Sequence, residues 1–487
     1  VESIAKMGDE LTGRFRHFVV RAAILLALVL APESRSWARG SPDPNIDRYV
    51  RDEMVERRIP GLALLVARDH KIVLAADYGV ASVELDAPVT ERTAFEIASM
   101  TKQFTDAAIL LLVDQGKLAL DDRLSRYFPE LPPAWQPITL RQLMNHTAGL
   151  RDDWDEDDSF FYSKTTPAEF FTALKAAPLK FPPGTDWSYG CGPFVLGLLI
   201  ERVTGKPYAR FMRETIFQPL GLRSTDVNDQ GPIVAGRAAG YVIRDGVVRN
   251  GVRLSPAAEA RADVGVRTTA RDLAAWDAAL DGGGLLSESS RKLMFTPARL
   301  AHGEPTPCGL GWFVTPFRGH IEVEHAGGFR TGFSTVIARY PDDRLTVIVL
   351  TNLQGAHAYS IARGIASFYN PDYRPIPMME TQADRDPSRT AIVTRILTAV
   401  GNGRTSEDLL PHASRWSQWT LAELRDVLAD ASAPVFIASQ DLSGRGVSLL
   451  GTPIVANAFY RTDGRHPAFW TFSFTADGRV AYFELEQ

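Results

Sequence analysis

Two apolar runs, GLALLVARD at 61–69 and KIVLAADYG at 71–79, are separated by one residue and read as the arms of a tight β-hairpin. Three later runs, near 321–326, 333–340 and 344–351, are expected to join them in an antiparallel sheet, the last two turning at Pro341, Asp342 and Asp343. Between the two sets the period changes. In FEIASMTKQFTDAAILLLVDQGKL, Phe104, Ala107, Ala108, Leu111 and Leu112 recur at helical spacing, and Ile109 and Leu110 widen the stripe until it predicts burial on most sides. A second predicted helix opens with Pro193 and stops near Gly205, and AYSIARGIASFYN predicts a closing one. The helix-rich interior, about 99 to 300, should pack over one side of the sheet, with a cleft between the two parts. That is an α+β plan.

After Asn370 the pattern breaks. Pro371, Pro375, Pro377 and Pro387 interrupt a stretch with little apolar periodicity, so 371–389 reads as a linker and 39–370 as the main domain. Helical patterns at 390–400 and 419–430 then precede the alternating strands PVFIASQ, PIVANAFYR, PAFWTFSFT and GRVAYFELE. They predict a small C-terminal α+β domain over 390–487, loosely similar to cystatin-like or nuclear-transport-factor-like folds. At the other end, Arg14, Arg16 and Arg21 precede AAILLALVLA at 22–31, with small residues near Ala38. This predicts a signal peptide over 1–38 and a periplasmic or secreted protein; ten apolar residues are too few for a stable membrane span.

Hydrophobic content of 45% over 487 residues allows large cores, and a formal net charge of −5 gives no basic footprint, which excludes nucleic acid as a partner. The chemistry concentrates in three segments. Ser99 and Lys102 lie three residues apart at the opening turn of the buried helix, so the amine can sit beside the hydroxyl, and unpaired N–H groups there favour a developing oxyanion. A lysine acting as base near pH 7 needs its pKa lowered by roughly three units, which burial can supply. The pair alone proves little: Ser-x-x-Lys recurs at Ser3 with Lys6 and at Ser289 with Lys292, where a solvated helix face suffices. Tyr189 stands just outside a helix N-terminus, as a rigid phenol or a capping aromatic. His325 precedes Gly327 and Gly328, in a glycine-rich bend that lets backbone approach a ligand, or as an ordinary edge-strand histidine.

Together the segments resemble the beta-lactamase-related serine hydrolases, the group that holds class C beta-lactamases, D-alanyl-D-alanine carboxypeptidases, D-amino-acid peptidases and esterases. The resemblance runs from about Ile46 to about Asn370. It rests on SxxK at Ser99, the tyrosine motif at Tyr189, HxG at 325–327, and the stretches LRQLMNHTAGL, PGTDWSY, CGLGWF and VIVLTN. It implies a beta-lactamase/transpeptidase-like antiparallel sheet with helices on both faces. It further implies acyl transfer by Ser99, with Lys102 and Tyr189 shuttling the proton and the backbone N–H groups of Ser99 and Gly328 forming the oxyanion hole. Cys191, His325 and Gly327 would fall at substrate-binding positions. The implied substrate is a small ester, amide or peptide, and neither a metal nor a cofactor is required.

The sequence departs from the family pattern twice. Where members with beta-lactamase or peptidase activity usually read Tyr-x-Asn, this chain has Cys191, a weak donor in place of an amide. His325 replaces the lysine of Lys-Thr-Gly, which removes a permanent cation for a substrate carboxylate. Both lean toward an esterase, ahead of a carboxypeptidase or beta-lactamase, and ahead of a penicillin-binding sensor that acylates without turnover. The acidic run from Asp152 to Asp158 is either a solvated loop or, if it borders the cleft, a bias against anionic substrates. Cys191 and Cys308 are expected as two buried thiols, with a bridge as the alternative; a cysteine hydrolase at Cys191 lacks any family signature. GxSxG and HExxH are absent, which disfavours an α/β-hydrolase or a zincin.

Overall fold

Seven antiparallel strands make the central sheet. In chain order they are β1 (Gly61–Arg68), β2 (Lys71–Ser82), β3 (Ala87–Pro88), β4 (Phe313–Phe317), β5 (His320–Phe329), β6 (Phe333–Tyr340) and β7 (Leu345–Thr351). Across the sheet the order is β3-β2-β1-β7-β6-β5-β4. The computed structural model describes residues 43–151, 166–229, 231–255, 258, 260–282, 284–410, 421–449, 451–465 and 467–486. The predicted signal peptide, the pair Ser3 and Lys6, and the acidic run 152–158 lie outside the described residues. Among the described residues no helix is long and apolar enough to cross a membrane.

The apolar run of β1 is explained by its central place. Ala63, Leu65 and Ala67 point into one core, Leu62, Leu64 and Val66 into another, so both faces are buried and alternation vanishes. The first core belongs to the helix-rich half, where α2 (Thr101–Asp114) and α3 (Gly192–Thr204) pack together. The second lies under α1 (Pro44–Arg57), through Ile46 and Val50, and α5 (Ala358–Ala366), through Ile361 and Ile365. Helix α4 (Ala270–Asp281) covers β1 and β7 from the side of the first core. Helices therefore cover both faces, as the resemblance implied. Helix α3 stops at Gly205 in the left-handed region (φ 67°), as its sequence predicts.

One local expectation changes. The glycines at 327 and 328 do not bend the chain; they continue β5 in register, Gly327 opposite Thr335 and Gly328 opposite Ser334, and the reversal comes at 330–332. Beyond Asn370 the chain stays packed. Tyr373 is fully buried between Phe317 and Tyr340, and Ile376 joins Ile437, Ala438 and Phe459 in a small core. Helices α6 (Pro387–Gly401) and α7 (Leu421–Leu428) then precede a four-stranded sheet, β8 (Val435–Asp441), β9 (Ala456–Thr462), β10 (Ala468–Phe474) and β11 (Val480–Glu486), paired in that order. Trp470, Phe472 and Phe474 are fully buried with Val393 and Ile396 of α6, so these aromatics are core.

Candidate active site

Helix α2 is preceded by a 3₁₀ turn, Ala98–Met100, that carries Ser99. Ala98 holds a left-handed backbone, φ 43°, an uncommon state for a residue with a Cβ. The turn lifts Ser99 to a half-exposed position at the mouth of an otherwise buried helix. Thr101 fastens the helix start by accepting the Val266 N–H at 2.9 Å. One residue on, Lys102 is only 3% exposed, and its Nζ donates to Ser99 Oγ at 3.0 Å and to the Asp263 carbonyl at 3.1 Å.

Strand β5 runs against the same turn. A Cβ added to Gly327 would stand 2.0 Å from the Ile97 carbonyl, so only glycine lets the strand come this near the Ser99 turn. Thr335 Oγ1 strengthens the contact by donating toward the carbonyls of Ile97 (3.3 Å) and Gly327 (3.2 Å). Gly328, the next residue, is exposed, with its backbone at the open end of this contact.

Tyr189 enters from the segment before α3, and Lys102 Nζ lies 4.9 Å from its ring centre. Burial raises the phenol's pKa, while the Lys102 charge and hydrogen bonding with Ser99 and Lys102 oppose the rise. The ring stacks on Phe313 (5.8 Å, 22° between planes), and faces His146 at 4.6 Å and His325 at 6.2 Å. His325 is 2% exposed; its Nδ1 donates to the Ala326 carbonyl at 2.7 Å, since a carbonyl can only accept. Burial, with the Lys102 charge, lowers its pKa to about 3, so the imidazole is neutral at ordinary pH.

Ser99, Lys102, Tyr189, His325 and Gly327 thus come together from three segments that are far apart in the chain. Cys191 is 1% exposed, precedes α3 and packs with the main apolar core. No disulfide joins it to Cys308. The competing pair Ser289 and Lys292 sits exposed on a short helix, Glu288–Met294, with Ser289 bonded to Ser287.

A family model described as Beta-lactamase matches residues 46–368. The chain belongs to the Beta-lactamase family. It is a serine hydrolase on that ground, with the fold of the group. Penicillin-binding protein 4* of Bacillus subtilis (strain 168) is 29% identical over 364 residues, covering 68% of this chain and 76% of that protein. Esterase EstB of Burkholderia gladioli is 33% identical over 215 residues, 41% of this chain and 55% of that protein. The crystal structure of a penicillin-binding protein from Bacillus halodurans superposes with a TM-score of 0.58 at 27% identity, over 66% of this chain and 98% of that one.

Two features of this Beta-lactamase family site escaped the reading of the sequence. His146 lies in the HTAGL stretch with φ 61°, and its Nδ1 accepts the Gly190 N–H at 3.3 Å, fixing the backbone beside Tyr189. Its pKa falls well below the usual value through burial and the nearby Lys102 charge, so it too is neutral. Phe313, in CGLGWF, packs edge-on to His325 at 5.6 Å and lies 6.3 Å from Trp187. Both fall inside motifs that the sequence displays, but their part depends on which rings meet in space.

Proposed function

We propose that the chain is an esterase that works through a Ser99 acyl-enzyme. The observation that carries the proposal is the 3.0 Å hydrogen bond from a buried lysine amine to a half-exposed serine hydroxyl. Lys102, in its neutral amine form, takes the Ser99 proton and becomes the ammonium as Oγ attacks the ester carbonyl. The resulting oxyanion is held by the N–H groups of Ser99 and Gly328, donors that typically contribute 10² to 10³ in rate each. Collapse expels the alkoxide, which is protonated through Tyr189 and Lys102; water then attacks the acyl group, with the same pair removing its proton.

The substrate class follows from His325. A neutral imidazole with Nδ1–H committed to Ala326 offers no cation for a carboxylate, which favours uncharged acyl groups. A peptidase of the D-alanyl-D-alanine type is the second reading, supported by the likeness to the D-alanine carboxypeptidase AmpC of Burkholderia cenocepacia, 25% identical over 66% of this chain with a TM-score of 0.55. The basic and then apolar run at 14–31 supports an exported, periplasmic or secreted enzyme.

The test presents p-nitrophenyl acetate, nitrocefin and a D-Ala-D-Ala peptide to the purified protein and to Ser99→Ala. Steady ester turnover, lost in the variant, is the expected outcome. Release from the peptide ahead of the ester supports the second reading, and ester turnover unchanged in Ser99→Ala discards the nucleophile.

A further inference from the structure

The catalytic strand has a second face. On β5, Val323 and His325 point toward the helix-rich half, and Glu322 points the other way, toward α5, with no exposure at all. Its carboxylate accepts from Tyr359 Oη at 2.5 Å and from Arg363 Nη2 at 2.8 Å. The Arg363 guanidinium lies 3.7 Å above the Phe317 ring and reaches on through Nη1 to Glu484 of β11 at 3.3 Å.

A parallel contact sits at the start of the strand. Arg318, in the turn between β4 and β5, is 4% exposed and adopts φ 52°. Its Nη2 donates to Glu486 at 2.6 Å, its guanidinium stacks 4.3 Å from the Phe459 ring, and its carbonyl accepts from Gln440 Nε2 at 2.9 Å. Glu484 and Glu486 are two residues apart on one strand and so share a face. The edge strand of the C-terminal sheet therefore grips both the entry to β5 and, through Arg363, its third residue.

We propose that Glu484 and Glu486, acting through Arg363 and Arg318, are positioning residues for the strand that presents His325 and Gly328, which makes the C-terminal sheet a working part of the acylation site. The inference rests on the Ser99 reading above. Ionic contacts this deeply buried are a poor source of stability compared with apolar packing. What they add is geometry: charge-assisted bonds hold their partners in one register, where apolar side chains would slide. Glu322 is three residues from His325 and six from Gly328, so a shift in the grip on β5 is felt at the oxyanion donor. Misplacement of a reacting group by about 1 Å can lower a rate a hundredfold.

The test uses the full chain and the double variant Glu484→Gln, Glu486→Gln, which removes both charges and keeps both shapes. A fluorophosphonate labels Ser99 irreversibly, so the extent of labelling counts folded, active sites, while the rate constant reports how well each site is aligned. The expected result is wild-type extent with a rate constant lowered at least about tenfold. A rate constant within twofold of wild type, with or without reduced extent, overturns the proposal, since a purely structural role alters only the number of active molecules. Should the double variant not accumulate in soluble form, Glu484→Gln alone serves, because Arg363 then keeps Glu322; it is read by the same two quantities. A wild type that takes no label discards the Ser99 reading itself, and the positioning role with it.

Discussion

In the proposed mechanism the proton is handled by an amine that donates to the Ser99 hydroxyl and the Asp263 carbonyl, and by a phenol against its side. Positioned bases contribute roughly 10² to 10⁴ in rate, so Lys102→Ala and Tyr189→Phe should each lower kcat/KM on p-nitrophenyl acetate by at least about a hundredfold. A variant with wild-type turnover would remove its residue from the mechanism. His325 makes a prediction of another kind. With its pKa near 3, the ring does not titrate between pH 5 and 9, and ester hydrolysis should show no histidine limb there. His325→Lys supplies the missing cation and should raise the kcat/KM ratio of a hemisuccinate ester to the acetate at least tenfold; an unmoved ratio would remove His325 from the substrate contact. Ser99 and Lys102 were legible because three residues on a helix is a short, rigid ruler. His146 and Phe313 were not, because their contacts with Tyr189 join segments that no local spacing relates.

Among the elements, strands and helices were readable wherever burial has a period. The hairpin at 61–79 and helix α3 formed where predicted, since each carries its own turn or cap signal. The glycines of β5 misled, because glycine marks both a bend and a close approach; the second applies here, with Ile97 in the space a side chain would need. Ala98 carried no signal at all, as nothing in Ala-Ser-Met announces a left-handed residue. That conformation is cheaper for glycine, so Ala98→Gly should raise stability by up to about 1 kcal/mol. The urea midpoint measures it, and a lowered midpoint would mean that the turn is relaxed as it stands.

At the scale of the whole molecule, the central sheet could be read from apolar runs and the C-terminal sheet from alternating ones, whereas the junction could not: Arg363 meets Glu484 across more than a hundred residues, and charge patterning does not pair such positions. The junction also carries a pH signature. Glu324, on the same face of β5 as Glu322, is buried, and burial with the neighbouring Glu322 charge raises its pKa to about 8. The folded chain thus keeps a proton that the unfolded chain loses above about pH 4.5, and stability contributed by this group falls as pH rises from there to about 8. Glu324→Gln removes that slope. Its Tm advantage over wild type should widen from pH 5 to pH 8 and then stay constant; an advantage independent of pH would mean that Glu324 ionises normally.

The place of β1 has a consequence for biosynthesis. It is the first strand of the sheet to be made, yet it lies between β2 and β7, with Ala63 opposite Leu350. As the nascent chain leaves the ribosome, one edge of that hairpin stays open until nearly all of the hydrolase has been translated, and contacts of such long range close slowly. A polypeptide that cannot finish its central sheet early is one that a translocation channel can still thread.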